Sequence, residues 1–189
     1  MKKILIIQPI HQEGIKLLQS NSEYEFEVVE NIEINFLKNK IKDCDGVSIR
    51  TAKLSREVIE AANNLKIISR HGVGYDNIDT SYLKNNKITL LITATGNAVT
   101  VAEHAMYMML TLAKGIVSYD KAVRSGDFKK NVSSIETYEL FKKEILIAGF
   151  GRIGKNLIKR CLGFEMKVKV YDPFVEKKMI EDLGGIKVE

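Results

Sequence analysis

Glu144-Ile145-Leu146-Ile147-Ala148-Gly149-Phe150-Gly151-Arg152-Ile153-Gly154 decides how this chain is read. An apolar run leads into Gly-x-Gly-x-x-Gly, an amphipathic segment follows, and Val168-Lys169-Val170-Tyr171-Asp172 closes the unit. The order is strand, glycine turn, helix, second strand, then an acid at that strand's carboxyl end. A glycine triplet at this spacing is weak evidence alone, so the context carries the weight. Asp172 lies eighteen residues after Gly154, close to the offset of about 20 at which a dinucleotide site needs its ribose-binding acid.

Each glycine has its own expected task. Gly149 allows the tight turn out of the strand, Gly151 lets the main chain approach a pyrophosphate, and Gly154 lets the helix lie close against the sheet. The helix that opens at Arg152 and Ile153 aims its unpaired N–H groups and positive dipole end at the phosphates. Asp172 is expected to accept hydrogen bonds from the adenosine ribose hydroxyls and to repel a 2′-phosphate, so the expected cofactor is NAD rather than NADP. A plain strand–turn–helix with no ligand is the bland alternative.

The chain has 189 residues, 45% of them hydrophobic, enough to bury a real core and form one domain or two small ones. No apolar run is long enough to span a membrane: Val101 to Ala113 is broken by Glu103 and His104. Met1 to Ile7 imitates a signal peptide, but its apolar part is short and ends at Gln8, so a first buried strand is expected. Cys44 and Cys161 form no C-x-x-C motif and suit a reducing cytoplasm. The net charge of +5 comes from lysines scattered among acids; no basic run with interleaved aromatics marks a nucleic-acid surface, and no nucleic-acid partner is expected.

Short β-type runs alternate with helical patterns. Residues 3–8, 24–29, 46–50, 66–70 and 88–92 read as strands, and residues 11–19, 34–41, 55–62 and 80–85 as helices, with Ser55 as an N-cap. Such alternation predicts a parallel sheet covered on both faces. A second unit starts near Gly96. Thr100-Val101-Ala102-Glu103 has capping-box spacing, and the helix it opens runs to Lys114 with Gly115 as its stop. That helix has almost no polar face, so it is expected to be buried on most sides, within the chain or in a subunit interface.

Four patterns together resemble the D-isomer-specific 2-hydroxyacid dehydrogenases, most of all their phosphoglycerate dehydrogenase branch. They are Ile49-Arg50-Thr51-Ala52-Lys53-Leu54, Gly72-Val73-Gly74-Tyr75-Asp76-Asn77-Ile78-Asp79, Gly96-Asn97 followed by Val101-Ala102-Glu103-His104, and the glycine fingerprint with Tyr171-Asp172-Pro173. The resemblance implies an α/β fold: a flavodoxin-like substrate domain in residues 1–95 and the first part of a Rossmann NAD-binding domain in residues 96–189, the cofactor domain being inserted into the substrate domain. It implies hydride transfer between NAD and a small 2-hydroxy or 2-oxo acid, a place in serine biosynthesis, and a homodimer built on the helix after Asn97. It also implies substrate contacts from Arg50, Val73, Gly74 and Asn97. The residues support part of this directly, since two glycines allow the amides of Val73 and Gly74 to converge on an anion, and Arg50 at a strand end can pair with a carboxylate or phosphate.

The reaction needs a base for the hydroxyl proton and a cation for the carboxylate and developing carbonyl. In the family these come from an arginine, a glutamate and a histidine well after the ribose-binding acid. Here His11, His71 and His104 all precede the fingerprint and no arginine follows Arg160. The expectation is therefore a truncated member with no catalytic residue in this chain, inactive alone; the alternative is a non-catalytic NAD-sensing or dimerisation module. Glu103-His104 is no acid–base pair, because adjacent helix residues point about 100° apart. Glu165 stands where glycine commonly ends the first cofactor-domain helix, with Gly163 as the expected substitute.

Overall fold

Isoleucine and valine dominate the strands because β-branched side chains pack well on a pleated surface. In a computed structural model of the chain, which describes residues 1–126, 128–131 and 134–189, Met1–Gly96 and Asn97–Glu189 form two compact units. The first contains β1 (Lys2–Ile7), β2 (Tyr24–Val29), β3 (Gly46–Ile49), β4 (Ile67–Arg70) and β5 (Thr89–Ile92), connected through α1 (Gln12–Gln19), α2 (Ile34–Ile41), α3 (Arg56–Glu60) and α4 (Thr80–Asn85). Every pairing is parallel and the order is β2-β1-β3-β4-β5, the flavodoxin-like arrangement. Each strand and helix read from the sequence of this unit is present, with no end displaced by more than two residues.

One face of the sheet is covered over its three central strands: Leu5, Ile7, Val47, Ile49 and Ile68 pack against Leu37 and Ile41 of α2 and Val58 and Ile59 of α3. The other face departs from the expected two-sided cover. Val28, Ile67 and Leu91 are 39%, 37% and 50% exposed, and α1 contributes no buried residue. The reason is size: α1 has eight residues, a length of about 12 Å, against a five-stranded sheet about 19 Å across. Ser55 occupies the N-cap of α3 as expected but makes no side-chain capping bond.

The second unit contains α5 (Ala98–Ala113), α6 (Ile116–Arg124), α7 (Phe128–Asn131), β6 (Glu144–Ala148), α8 (Arg152–Gly163), β7 (Lys167–Tyr171), α9 (Lys177–Glu181) and β8 (Ile186–Lys187). The strands pair in parallel as β6-β7-β8, one half of a doubly wound sheet. Phe150, Ile158, Cys161, Val168, Val170 and Ile180 form its core together with Met106 and Ala113 of α5. Among the described residues no helix is long and apolar enough to cross a membrane.

One expectation for α5 needs correction. The capping box does not form: the helix starts at Ala98 with Asn97 as its N-cap. Glu103 is engaged elsewhere, by Arg160 of α8 at 2.7 Å, which ties the two helices together. Within the chain the helix is buried only through Ala98, Ala102, Met106 and Ala113, while Tyr107, Met108 and Leu112 are 58%, 49% and 74% exposed, so of the two expected covers the one within the chain is incomplete. Gly115 ends α5 as expected, but at φ 56° it is also the N-cap of α6, a helix the sequence reading lacked.

The end of α8 corrects another expectation. Gly163 lies inside the helix, and Glu165 itself takes the left-handed conformation at φ 54°. The Met166 N–H donates to the Cys161 carbonyl at 3.1 Å and the Glu165 N–H to the Leu162 carbonyl at 2.9 Å, the paired bonds of a Schellman cap. A side chain there is strained, so Glu165→Gly is expected to raise stability by about 1 kcal/mol. Thermal melts check this; if Glu165→Ala matches Glu165→Gly, the backbone explanation is wrong.

Candidate functional site

In the second unit the glycine turn is fixed from both sides. Gly149, at φ 95°, occupies a conformation that strains any side chain, and its N–H donates to the Tyr171 carbonyl at 2.8 Å, continuing the register of β7. Phe150 is fully buried and anchors the turn in the core. A Cβ on Gly151 would meet nothing within 4 Å, so the main chain there faces open space at the start of α8. A Cβ on Gly154 would stand 2.4 Å from the Gly149 carbonyl oxygen, so the helix presses against the strand end. Arg152 and Ile153 form the first turn of α8, whose N-terminus has no side-chain cap. The positive end of the helix dipole therefore faces the same opening.

Asp172 does more than its sequence position suggests. One carboxylate oxygen accepts the Phe150 N–H at 2.7 Å, and the other accepts the Phe174 and Val175 N–H groups at 2.9 and 3.1 Å. The carboxylate thus crosslinks the glycine turn to the end of β7. These bonds, Phe150's foremost, hold its carboxyl below the ordinary carboxylate range. A carboxylate offers about four lone-pair sites, so a further donor can still be accepted on the Phe150 side.

In the first unit the candidate residues gather at the carboxyl ends of β1, β3 and β4. The order of the sheet reverses between β1 and β3, and ligands of such sheets bind in the crevice outside that point. Arg50 follows β3, is exposed, and donates from Nη1 to the Pro9 carbonyl at 3.0 Å. Gly72 has φ 144°, and a Cβ there would overlap the Arg70 guanidinium, 1.3 Å from Nη1. Arg70 in turn donates to the His71 carbonyl at 2.8 Å. Among the described residues the N–H groups of Val73 and Gly74 have no acceptor. Asn97 belongs to the other unit, where it caps α5 without a side-chain bond. Sequence reasoning missed Arg70, which it read only as the end of a strand. It also missed Gln8 and Asn77, whose side chains brace the turn after β3.

Residues 4–186 match the family model described as D-isomer specific 2-hydroxyacid dehydrogenase, catalytic domain. The chain belongs to that family. It is 36% identical over 183 residues to a D-3-phosphoglycerate dehydrogenase of Archaeoglobus fulgidus, covering 96% of this chain and 34% of the relative. It is 36% identical over 172 residues to a hydroxypyruvate reductase of Thermotoga maritima, covering 90% of this chain and 55% of the relative. The chain therefore spans from about a third to just over half of the curated relatives it matches. Among solved structures, a D-lactate dehydrogenase from Aquifex aeolicus in complex with NAD and lactic acid superposes with a TM-score of 0.82 at 25% identity, over 98% of this chain and 56% of that one. An NAD-dependent formate dehydrogenase from Staphylococcus aureus in complex with NAD gives a TM-score of 0.84 at 27% identity, over 99% of this chain and 60% of that one.

Proposed function

We propose that the protein is an NAD-dependent D-2-hydroxyacid dehydrogenase, most like D-3-phosphoglycerate dehydrogenase. In this reading residues 96–189 contribute to the cofactor domain and residues 1–95 to the substrate domain. The observation that carries it is the opening at the start of α8: a Cβ on Gly151 would project into free space, beside the Asp172 carboxylate and the positive dipole end of a helix whose N-cap is a glycine. That arrangement fits a dinucleotide. Gly149 and Gly151 supply the close-approach backbone, Arg152, Ile153 and Gly154 the helix N–H groups, and Asp172 an acceptor for ribose hydroxyls. NAD, when bound, supplies the hydride acceptor.

The protein's own residues do the rest of the work described here. Asp172 holds the turn open and disfavours a 2′-phosphate by charge repulsion. Arg50 and the free amides of Val73 and Gly74 receive the carboxylate or phosphate of a 2-hydroxy or 2-oxo acid, with Asn97 as a further polar contact. The relatives' names span phosphoglycerate, hydroxypyruvate and glyoxylate, which supports the class of acid. The exposed Tyr107, Met108 and Leu112 on α5 support a homodimer through that helix, and the two unpaired cysteines fit a cytoplasmic enzyme.

No histidine follows His104 and no arginine follows Arg160 in these 189 residues, so in this reading they do not by themselves supply the family's arginine, glutamate and histidine set for proton transfer. With NAD and D-glycerate 3-phosphate, D-glycerate or D-lactate, the chain is expected to bind NAD at least about tenfold more tightly than NADP and to form no NADH. Calorimetry and the absorbance of NADH check both. NADH production that survives repurification, or a preference for NADP, contradicts this reading.

A further inference from the structure

β1 and β3 are neighbours in register, with Ile7 opposite Ile49, so the residues after them emerge side by side. The chain leaving β3 turns through Arg50, Thr51 and Ala52, and side chains from two other segments satisfy its main-chain groups. The Gln8 Oε1 accepts the N–H groups of Thr51 and Ala52, each at 2.8 Å. From the glycine loop, the Asn77 Nδ2 donates to the Ala52 carbonyl at 2.7 Å and to the Arg50 carbonyl at 3.3 Å. Two main-chain partners fix the orientation of each amide: an oxygen must face two donors at Gln8, and a nitrogen two acceptors at Asn77. The Asn77 carbonyl also accepts the Leu54 N–H at 2.9 Å, so loop and turn are joined through both side chain and backbone.

Two further features point beyond ordinary loop packing. Gln8 sits at φ 71°, a left-handed conformation that non-glycine residues seldom adopt; such strained residues cluster at ligand clamps, held there by their surroundings. The next residue, Pro9, presents the carbonyl that holds Arg50 Nη1 at 3.0 Å. One of the five guanidinium N–H groups is thereby committed, and the others remain for an anion. Asn77 lies in the loop that carries the acceptor-free amides of Val73 and Gly74, while its own Oδ1 is buried without a partner among the described residues. The side chain is held by what its nitrogen does.

We propose that Asn77 and Gln8 are positioning residues that join the Arg50 turn and the Val73–Gly74 amides into one preformed anion pocket, acting through the turn without touching substrate. The proposal rests on the reading of Arg50 and the glycine loop as the substrate site.

The test uses the full chain and the variants Gln8→Met, Gln8→Glu, Asn77→Asp and Arg50→Met. The readouts are the Arg50 Nε–H signal in an 15N–1H spectrum, the affinity for D-glycerate 3-phosphate, and the thermal midpoint. Gln8→Met and Asn77→Asp are expected to move the Arg50 signal to the position of a free arginine and to weaken the ligand about tenfold. Gln8→Glu keeps an acceptor for both N–H groups and is expected to keep the wild-type signal, even if Gln8→Met fails to fold. Variants that lower the midpoint yet leave the Arg50 signal and the affinity unchanged overturn the proposal, reducing the clamp to a fold brace. Full affinity in Arg50→Met overturns the function assigned to the turn; it is recognised separately because the Arg50 signal still moves between the wild type and Gln8→Met.

Discussion

Gly154→Ala is expected to destabilise the chain by about 3 kcal/mol and to abolish NAD binding with it. The added Cβ would stand 2.4 Å from the Gly149 carbonyl oxygen. The obstacle is backbone at the end of β6, not the tip of a side chain that could swing away. Relief requires α8 to lift from the strand, which uncovers Ile158 and Cys161, both fully buried, and moves the helix N-terminus out of line with the turn. Gly151→Ala is the control: its Cβ meets nothing within 4 Å, so stability is expected to hold while the cofactor is shut out. Circular-dichroism melts with NAD titration separate the two effects. A Gly154→Ala chain that melts with the wild type and binds NAD normally would show that close packing of helix on strand is not what the third glycine provides.

Asp172→Ala is the second large effect, and it carries a pH signature. The carboxyl lies below its usual range because the N–H groups of Phe150, Phe174 and Val175 bond its charged form. Its folded pKa is thus depressed, and it contributes stability that is present above the unfolded value of about 3.9 and lost as pH falls through the folded value. The wild type should lose stability on acidification below about pH 4, and the variant should lack that share of the loss. Asp45 and Glu144 are depressed as well, so the difference between wild type and variant is the quantity to measure. At neutral pH the variant leaves the Phe150 N–H unpaired at the turn, and NAD affinity is expected to fall at least about tenfold. Parallel pH-stability curves for the two proteins would rule out the crosslinking role.

The sequence made the strands legible because apolar β-branched runs such as Ile4 to Ile7 and Ile145 to Ile147 have few other stable arrangements, and the spacing of glycines and acid pointed to the turn. What escaped it depends on partners far along the chain. Glu103 looked like half of a capping box because Arg160, 57 residues away, cannot be paired with it from the sequence. Gln8 read as the polar end of an apolar run and Asn77 as one letter of a glycine loop; their joint hold on residues 50–52 exists only once β1 lies beside β3. Asp172 was recognised as an acceptor, but its main-chain donors come from a turn 22 residues earlier and from the residues just beyond it. Glu165 stands out in the sequence, yet its left-handed backbone arises only where the end of α8 folds back to be capped by the Glu165 and Met166 N–H groups. The half-bare sheet follows from the length of α1, which amphipathic pattern alone does not weigh against sheet width.

Whether the turn at the start of α8 holds the dinucleotide is tested most directly by titrating the 15N-labelled chain with NAD and following main-chain amide signals. Gly149, Gly151, Arg152 and Ile153 are expected to shift first and furthest, the Phe150 amide to follow through its bond to Asp172, and NADP to produce the same shifts only at far higher concentration. Saturating NAD that leaves those amides unmoved, or that shifts a different surface, would contradict that role for the turn.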